Sequence, residues 1–269
     1  MAWRLLGNVT MNSVSLSSDA QFGLDNLTVS YQRRPAIHHL SGRFTLGSSN
    51  AIYGPNGAGK STVLKALLGL VRPDHGKVIC DGIRTADIAY LPQASDIDRS
   101  LPITVADLVL TGLWQRIGMF RAAGKAGRQR VSAALTTVGL SGFEHRPIYQ
   151  LSGGQFQRVL FARILVQDAK VILLDEPFNS IDAKTTEELL ALINQWVLEQ
   201  RTVIAVLHDE QQVRNHFQHT LLLAREMIAW GPTHKVLTPT HLQRARMNVA
   251  VWDEAPPVCH RDDAVVTAS

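Results

Sequence analysis

Residues 50–70 read NAIYGPNGAGKSTVLKALLGL. The short apolar run NAIYG reads as a buried strand ending at Gly54, with Asn50 unusually polar at its start. STVLKALLGL carries apolar residues at helical spacing and stops at VRPDHG, a Pro/Gly turn. Between them, Gly54-Pro55-Asn56-Gly57-Ala58-Gly59-Lys60-Ser61 fits G-x-x-x-x-G-K-[ST] in full, in the strand–loop–helix setting that gives the pattern meaning. Glycines let backbone N–H groups turn inward around phosphate oxygens. The helix N-terminus adds roughly half a positive charge at the same place. Lys60 would bridge the terminal phosphates, Ser61 would ligate Mg²⁺, and Thr62 would support the α-phosphate side. The stretch therefore reads as a nucleoside triphosphate site.

Downstream, VILLDE ends an apolar run with two adjacent carboxylates, Asp175 and Glu176. A buried strand tip is a costly place for such a pair unless a cation sits there. Asp175 is the candidate Mg²⁺ partner. Glu176 is expected to point the other way, by the strand's period of two, and to act as base toward an attacking water. His208 closes the apolar run VIAVLHD and would hold the γ-phosphate, the water and Glu176 in register. Gln93, in YLPQ, also follows an apolar strand, and its amide would reach Mg²⁺ or the water.

Apolar strands alternating with helices predict an α/β core with parallel strands. LDNLTVSYQ, GRFTLG, KVICDG and DIAYLPQ are the remaining strand candidates, and AKTTEELLALINQWVLEQ is an amphipathic helix. Residues 104–143 read as mostly helical with no strand-like run, and Leu108 to Phe143 reads as a separate helical lobe. Their basic residues, Arg116, Arg121, Lys125, Arg128 and Arg130, read as a solvated face.

Residues 1–23 are expected to be poorly ordered, with Met1 and Met11 both possible starts, and the tail from about residue 255 to be disordered. No run of 18 or more apolar residues occurs, and the N-terminus lacks the apolar segment of a secretory signal, so a cytoplasmic location is expected. Two cysteines, Cys80 and Cys259, make no disulfide framework. His38-His39, His234, His241 and Cys259-His260 match no zinc-site spacing. A net charge of +4 suits an anionic ligand without specifying one.

YGPNGAGKST, LPQ, LSGGQFQR, VILLDEPFNSID and VLHD, in that order, resemble the ATP-binding cassette ATPase of ABC transporters. The resemblance runs from about Leu24 to Leu237. It implies a P-loop cassette with a mostly parallel core sheet, an antiparallel β subdomain and a helical subdomain at about 94–168, within a domain of residues 24–240. Residues 241–269 would be a C-terminal extension. It implies ATP and Mg²⁺ as ligands, Tyr31 as the aromatic stacked on adenine, and Asp182 as a contact to a second copy. In LSGGQ, Ser152 is a natural N-cap, and Gly153 and Gly154 let a ligand approach the backbone. The resemblance makes Ser152, Gly153, Gly154 and Gln155 the completion of the second copy's γ-phosphate site. NSID stands where SALD or TGVD is usual in the family, a departure that leaves the Asp in place.

YLPQASDIDRSLPITVADLVLTG is similar to the corresponding segment in ATPases of zinc and manganese importers. TVIAVLHD with TLLLAREMIAWGPTHKVLTPTHLQRARM is similar to bacterial zinc-type importer ATPases. The expected partners are a second copy, membrane permease subunits docking around Gln93 to Gly112 and, indirectly, a solute-binding protein, with no nucleic acid. The expected location is the cytoplasmic face of the cell membrane. Manganese or a metal chelate (haem, siderophore, cobalamin) is the alternative cargo. A soluble, non-transport cassette is the alternative class, weakened by the lack of a long coiled-coil insertion or a second cassette.

Overall fold

The computed structural model describes residues 16, 19–32, 34–114 and 124–254, the last five by backbone only. Two sheets organise these residues. Strands β1 (Gln21–Tyr31), β2 (Arg34–Arg43) and β4 (His75–Asp81) form an antiparallel sheet in the order β2-β1-β4. The larger sheet adds β3 (Ser49–Tyr53), β5 (Ile88–Leu91), β6 (Val171–Asp175), β7 (Thr202–Leu207), β8 (His219–Ala224) and β9 (Glu226–Pro232), in the order β5-β6-β7-β3-β8-β9. It is parallel from β5 to β8, and β9 pairs antiparallel at the edge. Helices α1 (Lys60–Leu67), α2 (Val105–Leu110), α3 (Gly124–Thr137), α4 (Gly153–Gln167), α5 (Ala183–Leu198), α6 (Glu210–His216), α7 (Thr233–Val236) and α8 (Pro239–Glu254) complete the fold.

The strand period of two sorts the core into two layers. On β6, Val171 and Leu173 face β1, β2 and α1, while Ile172 and Leu174 face the helices that begin with α2. On β7, Ile204 and Val206 take the first side, and Val203, Ala205 and Leu207 the second. Both faces of the parallel sheet are therefore covered, which is why these strands read as unbroken apolar runs.

Several boundaries differ from the sequence expectation. Ordered strand begins at Gln21, before Leu24, because Phe22 is fully buried. GRFTLG is not a separate strand: β2 starts at Arg34 and ends at Arg43, set by its long antiparallel pairing with β1. Helix α1 ends at Leu67, where Gly69 adopts φ 69°, and Leu70 is left exposed. The terminal strands β8 and β9 fall, but for His219, in the segment TLLLAREMIAWGP, whose resemblance to importer ATPases does not specify strands. Helix α8 crosses the expected 240/241 boundary and buries Ala245. Arg116, Arg121, Cys259, His260, Met1 and Met11 lie outside the described residues.

Asn50 is polar for a structural reason. It is 1% exposed, its Oδ1 accepts from the Thr45 N–H, and its Nδ2 donates to the Thr45 and Ser48 carbonyls. A buried amide is tolerated when it is bonded in this way.

Candidate functional site

Every chemical group singled out in the core sits at a carboxyl end of a parallel strand. Gly54 follows β3, Asp175 ends β6, His208 follows β7, and Gln93 lies just past β5. In open α/β sheets this edge is where ligands bind.

The phosphate loop is braced from outside. The carbonyl of Leu223 lies where a Cβ on Gly54 would stand, at 2.0 Å, and that of Ala36 blocks Gly59 at 2.2 Å. Gly57, with φ 76°, has open space instead. The first two glycines therefore pack the loop against its scaffold, and the third faces the space a ligand would fill. Lys60 is buried, and its ammonium donates to the carbonyls of Gly54 and Pro55 at 2.8 Å each. Burial holds its pKa below the usual lysine value, opposed by the charges of Glu176 and Asp175. Thr62 is the third residue of α1 and half-buried.

The Ser61 hydroxyl donates to Asp175 Oδ1 at 2.9 Å, so these two side chains meet. Asp175 is 1% exposed, and burial raises its carboxyl pKa, with the Ser61 hydrogen bond acting the other way. A buried carboxylate beside a hydroxyl is an all-oxygen donor set, the kind a hard divalent cation takes. The pair fits Mg²⁺. Gln93 is half-buried at the neighbouring strand end, and among the described residues its side chain forms no hydrogen bond.

Glu176 is turned by a different device from the one expected. The strand ends at Asp175, and Glu176 has φ 48° in the left-handed region, while its N–H still donates to the Val206 carbonyl. A non-glycine residue there costs on the order of 1 kcal/mol. The strain puts the carboxylate beside His208, with Nε2 to Oε1 at 2.5 Å. The other oxygen, Oε2, accepts from Asn179 Nδ2. Asn179 was missed as a site residue. Its signal was the tight turn after Asp-Glu, closed by Asn179 N–H to the Glu176 carbonyl at 3.3 Å.

Tyr31 ends β1, is 48% exposed, and pairs with Arg34, close in sequence to Ala36, whose carbonyl meets Gly59. Its ring is therefore open to solvent at the end of β1.

The signature turn lies elsewhere. Ser152 caps α4, its Oγ accepting from the Gln155 N–H at 3.2 Å, and Gln155 Oε1 accepts from the Ser152 N–H at 3.0 Å. This reciprocal capping box follows from the S-G-G-Q spacing. A Cβ on Gly153 would lie 3.4 Å from the Ser180 carbonyl, and one on Gly154 3.5 Å from Asp182 Oδ2. Asp182 caps α5 through Thr185 N–H at 2.9 Å and Thr185 Oγ1 at 2.8 Å, and these bonds lower its pKa. Arg158 ties the elements together, donating to the Val138 carbonyl and to Thr185 Oγ1 and pairing with Glu188 at 2.5 Å. Among the described residues, no hydrogen bond joins Ser152, Gly153, Gly154 or Gln155 to the phosphate loop of the same chain. The Ser152 turn and the phosphate loop are thus two separate features of one chain.

Of the histidines, His38 pairs with Glu226 at 3.0 Å, His39 with Asn26 at 2.7 Å, and His241 with the Val236 carbonyl at 2.9 Å. Among the described residues no group of three or more His, Cys, Asp or Glu is placed to hold a metal ion.

A family profile described as ABC transporter matches residues 37–179. The manganese transport system ATP-binding protein MntB of Bacillus subtilis is 40% identical over 225 residues, covering 82% of this chain and 90% of its own length. The zinc transport system ATP-binding protein TroB of Treponema pallidum is 39% identical over 226 residues, covering 82% and 85%. Among solved structures, an inward-facing transporter assigned to the metal-chelate ABC type superposes with TM-score 0.76 at 30% identity, covering 85% of this chain and 90% of that one. The cassette MJ0796, dimeric in a post-hydrolysis state bound to ADP and Pi, superposes with TM-score 0.71 at 27% identity, covering 79% and 98%. With the profile match and these identities over most of its length, the chain belongs to the ABC transporter family as an ATP-binding cassette ATPase.

Proposed function

We propose that this chain is the ATP-hydrolysing subunit of an importer for a divalent transition metal, working as a pair beneath a separate membrane permease. The observation that carries the ATPase half is the convergence of Ser61–Asp175 and Glu176–His208 on the strand ends around the phosphate loop. The metal cargo rests on the similarity to manganese and zinc transport ATP-binding proteins. Zinc, the cargo expected from sequence, stands beside manganese, since relatives of nearly equal identity carry both names.

ATP is the substrate. Lys60 would exchange the two loop carbonyls it now holds for phosphate oxygens. Ser61 and Asp175 would hold Mg²⁺, with Gln93 reaching in from β5. The cation, when bound, would offset charge on the transferring phosphoryl group. Glu176 would take the proton of the attacking water, a contribution of about 10²–10⁴-fold. His208 and Asn179 fix its two oxygens, so the base is held in one orientation. Tyr31 would stack on the adenine.

The Ser152–Gln155 turn would complete the phosphate site of a second copy, with Asp182 beside the same contact. Closing two chains on two ATP molecules, and reopening after hydrolysis, would drive the permease between its two access states. Among the described residues no helix is long and apolar enough to cross a membrane, so attachment at its cytoplasmic face would come through the permease. A solute-binding protein would deliver the metal on the far side.

The test is uptake of labelled zinc and labelled manganese by a deletion strain. Uptake of one or both should fall, return with the wild-type gene, and stay low with Glu176→Gln. Normal uptake of both metals, with loss of haem, siderophore or cobalamin uptake, would move the cargo to a chelate. Normal uptake of all of them would end the importer reading.

A further inference from the structure

The segment after Gln93 contains a cation that the nucleotide site does not use. Arg99 is half-buried, and its guanidinium donates through Nη2 to the carbonyl of Leu151. The same group lies over the Phe156 ring, 4.8 Å from its centroid. Leu151 immediately precedes the cap Ser152, and Phe156 follows Gln155 in the first turn of α4. Both are buried, at 5% and 1% exposure. An apolar residue just before a cap and one at the fourth helical position form a staple that sets the angle at which the chain enters the helix. Arg99 therefore holds both ends of the staple around the signature turn.

Charge balance argues that this contact serves geometry rather than stability. A cation beside a helix N-terminus opposes the helix dipole. Its offsets here are a carbonyl and a ring face, and none of the described ion pairs includes it. The backbone on either side is pinned as well, since Asp98 Oδ1 accepts from the Ser100 N–H at 2.9 Å and from the Ser100 hydroxyl at 2.7 Å. Arg99 thus reaches the signature turn itself from a fixed base, while at the far end of the segment the Ile103 carbonyl accepts from the Ile148 N–H at 3.1 Å, just ahead of that turn.

We infer that Arg99 is a positioning residue that links the Gln93 segment to the signature turn, and so sets hydrolysis in the second copy's site. This rests on the shared-site reading above. Displacing the segment, as a docked permease would, moves the Leu151 carbonyl and the Phe156 ring together. A turn that must meet phosphate within a fraction of an ångström is sensitive to such shifts, because a misplacement of about 1 Å can cost about 10²-fold in rate.

The test uses the purified full chain and its Arg99→Met and Arg99→Lys variants. Affinity for a fluorescent ATP analogue reports the chain's own phosphate loop and should stay within about twofold of wild type. The kcat for MgATP hydrolysis should fall at least about tenfold in Arg99→Met, with KM little changed. Arg99→Lys, which keeps a cation over the ring, should recover part of the loss. Removing Phe156's ring by Phe156→Leu in the Arg99→Met background should lower kcat less than it does in wild type. If Arg99→Met does not fold, Arg99→Gln, which keeps a donor for the Leu151 carbonyl but no cation over the ring, takes its place, with a kcat loss larger than that of Arg99→Lys. A kcat within twofold of wild type in the folded variant would overturn the inference, as would parallel loss of analogue binding and thermal stability without recovery by lysine. A wild-type chain that binds ATP without hydrolysing it would remove the ATPase reading itself, and this inference with it.

Discussion

Asp175 shows how one residue is shaped by function against its own stability. Its carboxylate is buried and faces the charge of Glu176, and its pKa is raised as a result. A carboxyl whose folded pKa exceeds its unfolded value supports folding below the unfolded pKa and loses that support as pH rises through the folded one. The charge therefore weakens the nucleotide-free protein at neutral pH. Asp175→Asn keeps an acceptor for Ser61 and removes the charge. Thermal denaturation should place this variant above wild type at about pH 7.5, with the gap closing toward about pH 4. Its Mg²⁺-dependent hydrolysis should be lost. A melting temperature below wild type at neutral pH would contradict this account of the buried charge. Glu176 differs because its left-handed backbone carries it to His208 and Asn179. The strand's alternation predicted its divergence from Asp175, but the turn produces it.

At the scale of an element, α4 is the informative helix. Its apolar residues, among them Val159, Leu160, Phe161 and Ile164, join the large core, while its first turn stays open with Ser152 and Gly153 exposed. The cap and its box are fully satisfied within the chain. A helix N-terminus of this kind presents backbone N–H groups that can meet an anion. Ser152→Arg removes the cap and fills the approach. The cap itself is worth about 1 kcal/mol, so the variant should fold. Nucleotide affinity should remain near wild type in an analogue titration, and steady-state hydrolysis should fall by at least about 10³-fold. Preserved hydrolysis would show that the turn does not face phosphate.

For the whole molecule, the proposed function divides one site between two features of the chain that do not meet. The phosphate loop, Asp175, Glu176 and His208 form one edge, and the Ser152 turn is held by Leu151, Phe156 and Arg158 in the helical region. In the proposed function, pairing of two copies would join them. Glu176→Gln should therefore accumulate as an ATP-dependent dimer, seen by light scattering, while wild type returns to monomer as ATP is consumed. A Glu176→Gln chain that stays monomeric with saturating MgATP would argue against the paired site. The nucleotide chemistry was legible because each part of it is local: a glycine loop between strand and helix, two carboxylates at a strand tip, and a serine three residues before a glutamine. The same locality made β3, β6 and β7 readable as apolar runs. Contacts distant in sequence were not readable. The polar Asn50 is explained by its amide bonds to Thr45 and Ser48, and the packing of α8 by the burial of Ala245, neither of which the local pattern shows. Arg99 showed nothing in sequence, because its partners lie 52 or more positions away. Local sequence sets which chemistry this protein carries, since backbone turns and strand ends are fixed by neighbouring residues. How those parts are braced and aimed follows instead from long-range pairing and burial, which select one arrangement among many that the same local pattern allows.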